Sequence, residues 1–218
     1  MMTFTLWDVV RGLLLALRWT IVLSITAFVA GGAVGLLMMT LRVSQRPIAR
    51  AVARGWIELF QGTPLLMQLF MIFFGLALFG IEVPAWGAAL VGLTCWSSAF
   101  LAEIWRGCVE AVPHGQWEAS ASLAMSRSQQ MRHIILPQAL RIAVPPTVGF
   151  LVQVVKGTAV TSIIGFVELA KAGSVITNAT FQPFTTFGLV ALMYFALCWP
   201  LSVCSRVFER KLHVAHHH

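Results

Sequence analysis

The chain has 218 residues, a formal net charge of +7, and a composition that is 58% hydrophobic and only 11% charged. Soluble domains carry about 25% charged residues, so the composition excludes an ordinary soluble domain and calls for an apolar solvent. The basic excess has two possible uses, nucleic-acid binding or membrane topology, and its distribution along the chain decides for topology.

Residues 1–18 contain Trp7, Asp8, Arg11 and Leu13 and are expected to form a short amphipathic segment on the outer surface. Charge-free runs follow at Trp19–Leu41, Leu59–Ile81, Val83–Ala102, Ile142–Val155 and Ala172–Ser205. A spanning helix needs about 20 apolar residues. The first three runs meet that length. The fourth continues past Lys156 to Ile164, and the spanning part of the fifth starts near Thr185, after Pro183. The prediction is an all-α membrane protein with five transmembrane helices. Between them, Ser44–Gly55 reads as a basic inner connection and Phe79–Trp86, with Gly80 and Pro84, as a tight outer turn. Gly107–Gln138 is a long polar inner segment with good helix formers, bounded by Pro113 and by Pro137, where a kink or restart is expected. Gly157–Thr186 is long for a loop and is expected to dip back into the membrane. Residues 1–212 form one membrane domain. Residues 213–218 form a tail whose His216–His218 resemble the end of an affinity tag.

Arg42, Arg46, Arg50 and Arg54 follow the first span, Arg106, Arg127, Arg132 and Arg141 the third, and Arg206, Arg210 and Lys211 the fifth. Eleven of the fifteen basic residues therefore share one side, which the positive-inside rule makes the cytoplasm. The N-terminus is then outside and the C-terminus inside. Cys95, Cys108, Cys198 and Cys204 form no Cys-x-x-Cys pair and read as packed free thiols, with no metal site. Trp19, Trp56, Trp86, Trp105 and Trp117 suit interface anchoring.

Two sets of residues carry candidate chemistry. In the inner segment, Trp117, Leu123 and Met125 are apolar anchors, Glu118 offers one charge, and the small Ala119, Ser120, Ala121 and Ala124 permit close approach of another backbone. This is a knob for a cytoplasmic partner or, more plainly, an amphipathic helix on the membrane. Within the spans, Lys156 lies 15 residues past Arg141, about 22 Å along a helix and so in the outer half of a core about 30 Å thick. It either holds a carboxylate in a cavity or snorkels to the interface. Thr158, Thr161 and Ser162 offer hydroxyls to a substrate or to their own backbone. Gly62-Thr63-Pro64 interrupts the second span, followed by Met67 and Gln68; it either frees backbone groups toward a substrate or is a packing kink. Ser97 and Ser98 line a substrate path or are small packing residues. Glu103 and Arg106, three apart, are expected to pair.

The stretch Gly115 to Pro137 resembles the EAA loop of the membrane subunits of bacterial ABC importers, Glu-Ala-Ala, three residues, Gly, nine residues, Ile-x-Leu-Pro. Glu118, Ala119, Ile134, Leu136 and Pro137 match in register, while Ser120 replaces the second Ala and Ala124 the Gly. Further segments look like the polar amino acid subfamily, whose members are the histidine, glutamine and arginine permeases: Glu58–Leu69, Phe100–Gly107, Pro113–Ala119, Pro137–Arg141 and Ser162–Leu169. One departure is Lys156-Gly157-Thr158, where the family often has Lys-Asp-Ser/Thr. The resemblance covers residues 10–212. It implies a type I importer permease of MetI-like fold in the bacterial inner membrane, gripping its ATPase through the loop at about residues 113–137. It further implies two ATP-binding cassette subunits, a second permease (identical or homologous), a periplasmic amino-acid-binding protein and a small polar amino acid as substrate, with ATP and Mg held by the ATPase and no cofactor on this chain.

Other classes fit less well. No Gly-x-x-x-x-Gly-Lys-Ser/Thr occurs, so ATP must be bound by another chain. A self-sufficient carrier or channel is expected to show internal duplication or a ring of charges, and neither is present. His114 and His133 are 19 residues apart and without a carboxylate cluster, which argues against a membrane enzyme. A scaffold subunit without transport is separated from a permease by ATPase stimulation on reconstitution.

Overall fold

The computed structural model describes residues 5–215 and, among these, consists of helices and short turns without a strand. Four helices are long and apolar enough to cross a membrane: Leu6–Arg42 (α1), Ala85–Glu110 (α4), Arg127–Ile164 and Pro183–Lys211. A fifth crossing is a bent pair, Pro47–Gly62 (α2) with Leu65–Gly75, whose axes differ by 104°. Leu65–Phe70 (α3) passes into a π-helical turn, Met71–Gly75. The five expected spans are thus present, the second as a broken helix. His216–His218 lie outside the described residues.

Four expectations about the connections are corrected. Residues 6–18 do not form a separate surface helix: α1 is continuous over 37 residues, started by a capping box in which Thr5 and Asp8 bond each other's backbone N–H. No proline occurs before Pro47, and the glycines Gly12, Gly31, Gly32 and Gly35 stay helical, so nothing stops α1 before Arg42. The basic connection is only residues 43–46, because Pro47 sits at the first helical position of α2, where its missing N–H costs nothing. Pro137 does not restart a helix. The rod begins at Arg127 (α6, Arg127–Gln129), capped by Ser126 and Gln129, widens into a π-helical stretch over Gln130–Ile135, and continues as α7, Leu136–Gly157. Pro137 occupies the turn just after the π-helical stretch. Finally, Gly157–Thr186 is mostly helix: a 3-10 turn Thr158–Ile164, then α8, Leu169–Thr180, which ends at Phe181 in the left-handed region before α9, Pro183–Ala215.

Small residues set the close approach of α1 to α4. A Cβ on Gly31 would meet Ser97 Oγ at 2.0 Å, and one on Gly35 would meet the Ser98 carbonyl oxygen at 2.9 Å. Such approach is the usual basis of helix association in lipid. Leu23, Ala27, Leu69, Leu93, Leu101 and Phe150 form the central core, and a second cluster around Met38, Met39, Ala53, Ile57 and Ile135 closes the end that carries α5 (His114–Ser122). The indole N–H groups of Trp56 and Trp105 donate across helices to Ser98 Oγ at 3.0 Å and Thr147 Oγ1 at 2.9 Å. Trp19 and Trp86, about half exposed, fit interface anchoring. All four cysteines are free, with Cys108 and Cys198 buried, Cys95 half-buried and Cys204 exposed.

Candidate functional site

The inner segment folds into a helix, a turn and the foot of a long rod. Pro113 precedes α5 and Ser122 ends it. The stop is a Schellman motif: Met125 N–H bonds the Ser120 carbonyl at 3.3 Å and Ala124 N–H the Ala121 carbonyl at 2.9 Å. Ala124 accordingly has a φ of 54°, the left-handed region in which glycine is the natural occupant. That accounts physically for a glycine in the pattern at this position. Gly115, Glu118, Ala119, Leu123 and Ala124 are exposed, Leu123 at 75%, so the tip of the motif faces outward with one large apolar side chain and one carboxylate. Ser120 is instead buried, its Oγ donating to the Trp117 carbonyl. Trp117 packs against the cluster of Ile135 and Ala139, and Met125 is half-buried. These two root the knob and leave its exposed surface to Glu118, Ala119 and Leu123. Pro137 is exposed on the rod, ten residues past Arg127.

The polar residues in the spans divide sharply. At the elbow between α2 and α3, Pro64 has no N–H to return to the carbonyl of Phe60. Gln68 supplies the missing donor: its Nε2 reaches Phe60 O, Thr63 O and Thr63 Oγ1, each at 3.0 Å. Thr63 Oγ1 itself donates to the Leu59 carbonyl at 2.7 Å. At membrane depth every backbone group must find a partner inside the protein, and here side chains provide them. Gln68 is buried by this work, while Gly62 and Met67 are exposed beside it. The elbow is tied to the middle of α4 by Gln61 Nε2 to the Ala99 carbonyl at 3.2 Å and by Trp56 to Ser98. Ser97 is fully buried and donates to Leu93 O and Ala27 O. Thr158 and Thr161 are fully buried and donate to carbonyls three residues back, and Ser162 is half-buried. Lys156 alone of the ionisable candidates in the spans is exposed.

One position went unnoticed in the sequence. Glu168, fully buried, caps α8 by accepting the N–H groups of Ala170 and Lys171 at 2.9 and 2.8 Å, and accepts the Tyr194 hydroxyl at 2.7 Å. The adjacent Leu169 N–H donates to Thr20 Oγ1 at 3.1 Å. The carboxylate thus joins α8 to α9, and its neighbour joins α8 to α1. A carboxylate set between the apolar Ile163–Val167 and a helical stretch was the available signal. At the inner end Arg106 bridges Glu103 (2.6 Å) and Glu110 (2.5 Å), as the spacing predicted for the first of these.

An exposed knob at the foot of a rod, beside an apolar bundle of five crossings, is the arrangement against which known proteins can be compared. Residues 27–214 match the family described as the binding-protein-dependent transport system inner membrane component. The chain belongs to that family. The probable amino-acid ABC transporter permease protein YckA of Bacillus subtilis is 37% identical over 193 residues, 88% of this chain and 85% of YckA. The L-cystine transport system permease protein TcyB of the same organism is 30% identical, over 94% of this chain and 87% of TcyB. A chain in a crystal structure of an amino acid ABC transporter with histidines superposes with a TM-score of 0.90 at 33% identity, covering 96% of this chain and all of that one. The MetNI methionine ABC transporter in an inward-facing form gives a TM-score of 0.69 at 24% identity, with coverage of 94% and 96%, and shows the shared fold. This permease is therefore not an enzyme: in such systems ATP hydrolysis belongs to a separate ATPase subunit.

Proposed function

We propose that this permease is half of the membrane domain of an importer that carries a polar amino acid across the bacterial inner membrane, with its N-terminus outside and its C-terminus inside. The observation that carries the reading is the exposed tip of α5, Glu118, Ala119 and Leu123 beside the left-handed Ala124, at the foot of one helical rod running from Arg127 to Ile164. Two ATPase subunits, each receiving one such knob in a cleft, bind ATP and Mg; this chain holds neither. A second permease, identical or homologous, completes the pathway, and a periplasmic amino-acid-binding protein loads it from outside. The substrate class is supported by the names of the similar proteins, amino-acid permeases including one for L-cystine. Substrate moves because the outward- and inward-open states bind it with different affinity.

Lys156, exposed at a depth of about 22 Å along the rod from Arg141, is the group for the amino-acid carboxylate. Thr63, Ser97, Ser98, Thr158 and Thr161, whose hydroxyls are already engaged, serve the frame, as does the carboxamide nitrogen of Gln68, whose Oε1 is left buried without a partner; Gly62, Met67 and Ser162 flank the path. Reconstitution of the complete transporter tests the coupling role. Glu118→Lys is expected to abolish ATP-driven uptake while the permease still inserts and the binding protein still loads. Normal uptake with normal ATPase association would remove the knob from the mechanism.

A further inference from the structure

The exposed face of α7 carries a second polar residue that the importer reading does not use. Gln153 is exposed, three residues before Lys156 and so on the same side of the helix. It lies about 18 Å along the helix from Arg141, near the middle of the hydrocarbon core. The neighbours on either side of this stripe are packed: Val152 and Val155 lie against Cys198 and Leu201 of α9, and Gly157 lies against Leu93 and Leu65. An amide and an ammonium do not face lipid at that depth without heavy cost, so the stripe borders water.

The carboxylates are distributed unlike the cations. Glu168, the acidic residue closest in sequence to this stripe, is fully buried and holds three donors. Glu103 and Glu110 are paired with Arg106 at the inner boundary. Glu58, exposed on α2, shares one line of that helix with the exposed Arg46, Arg50 and Arg54, spaced every four residues. The stripe of Gln153 and Lys156 thus has a positive charge with no exposed carboxylate in its own helix, and the other exposed polar line is also net basic.

We propose that Gln153 and Lys156 together form a substrate contact, the ammonium for the carboxylate and the carboxamide for a neutral polar group, so that the pathway passes neutral and acidic amino acids and rejects cationic ones. This rests on the importer reading and names its substrate class. The test uses the complete transporter in lipid vesicles, with the four native cysteines replaced by alanine and Gln153→Cys as the single thiol. Water-soluble methanethiosulfonates are the probe. The thiol is expected to react, with the anionic sulfonatoethyl reagent about tenfold faster than the cationic trimethylammonium reagent, equivalent to about 1.4 kcal/mol. Adding Lys156→Glu is expected to invert that ratio. An unreactive thiol, in which case the residue is covered by lipid or by the second permease, or a ratio indifferent to residue 156, overturns the proposal. In the same vesicles Gln153→Leu is expected to lower ATP-driven L-glutamine uptake about tenfold while the transporter still assembles in normal yield. Gln153→Glu is expected to let L-arginine compete where it did not before, and absence of both effects also overturns the substrate contact. Charge-selective labelling in a transporter that moves no amino acid at all leaves the aqueous stripe standing and sinks the amino-acid importer reading instead.

Discussion

The inner knob and the mid-membrane elbow are both breaks in a helical chain, and they treat polar groups in opposite ways. At the knob, α5 stops in a backbone turn at Ala124 and Met125, with Ser122 and Gln130 donating to the Glu118 and Met125 carbonyls, and the Glu118 side chain is left exposed. At the elbow, Pro64 leaves the Phe60 carbonyl without its helical donor at membrane depth, the Gln68 Nε2 supplies one, and Thr63 Oγ1 donates to the Leu59 carbonyl, while Gln68 Oε1 stays buried without a partner. The difference follows from solvent. Water satisfies a loose end at the surface, so side chains there remain available for a partner. Inside the bilayer nothing else satisfies it, and polar side chains become part of the frame.

Glu118→Lys, with its loss of uptake, is the strongest way to probe this contrast, because stability is expected to be untouched at an exposed position. Gly35→Ala comes next. Its Cβ would lie 2.9 Å from the Ser98 backbone oxygen, which cannot rotate away. Overpacking of this kind costs about 1–3 kcal/mol and loosens α1 from the part of α4 that holds the elbow. Thermal unfolding in detergent reads the change, and an unaltered Tm would show that the helices slide freely there. Gln68→Met preserves volume but removes the three donations, and is expected to cost about 1–2 kcal/mol, the range for hydrogen bonds between membrane helices. Restoring the backbone donor with Pro64→Ala in the Gln68→Met background should recover stability. If Gln68→Met is neutral, the elbow is not held as described. Smallest and opposite in sign, Ala124→Gly is expected to stabilise by about 0.5–1 kcal/mol, since glycine adopts the left-handed region without the Cβ penalty. A destabilised Ala124→Gly would mean that the Schellman stop is not the resting form of the knob.

The spans were legible because runs of apolar residues of about 20 report bilayer thickness directly. The knob was legible from its resemblance to the EAA pattern, whose glycine the left-handed φ at Ala124 now accounts for. The roles of Gln68, Ser97, Thr158 and Thr161 were not, because residue type does not tell whether a hydroxyl or amide faces a substrate or a carbonyl of its own helix. A finer signal existed at Gln68: it stands four residues after Pro64, as Phe60 stands four before. The cross-helix bonds of Trp56 and Trp105 were likewise invisible, since an indole's partner cannot be read from its residue type. Residues 6–18 misled because their charges suggest a surface segment, although nothing in them ends a helix.

The rod from Arg127 to Ile164 has one further consequence. Arg127 stands two residues past the last turn of the knob, and Gln153 and Lys156 ride on the same helix, about 40 Å away at 1.5 Å per residue. A helical rod of that length is a lever arm. Under the proposed coupling, a tilt imposed at its foot by a closing ATPase would arrive at Lys156 as a sideways stroke that grows with distance, and no signal would need to pass through intervening side chains. The irregular points along it are the π-helical stretch Gln130–Ile135 at the driven end, the pair Pro145-Pro146 inside α7 and the 3-10 turn Thr158–Ile164 beyond Lys156. The geometry of this permease therefore makes transport a problem in leverage, with the stroke length set by how far along one helix the charge was placed.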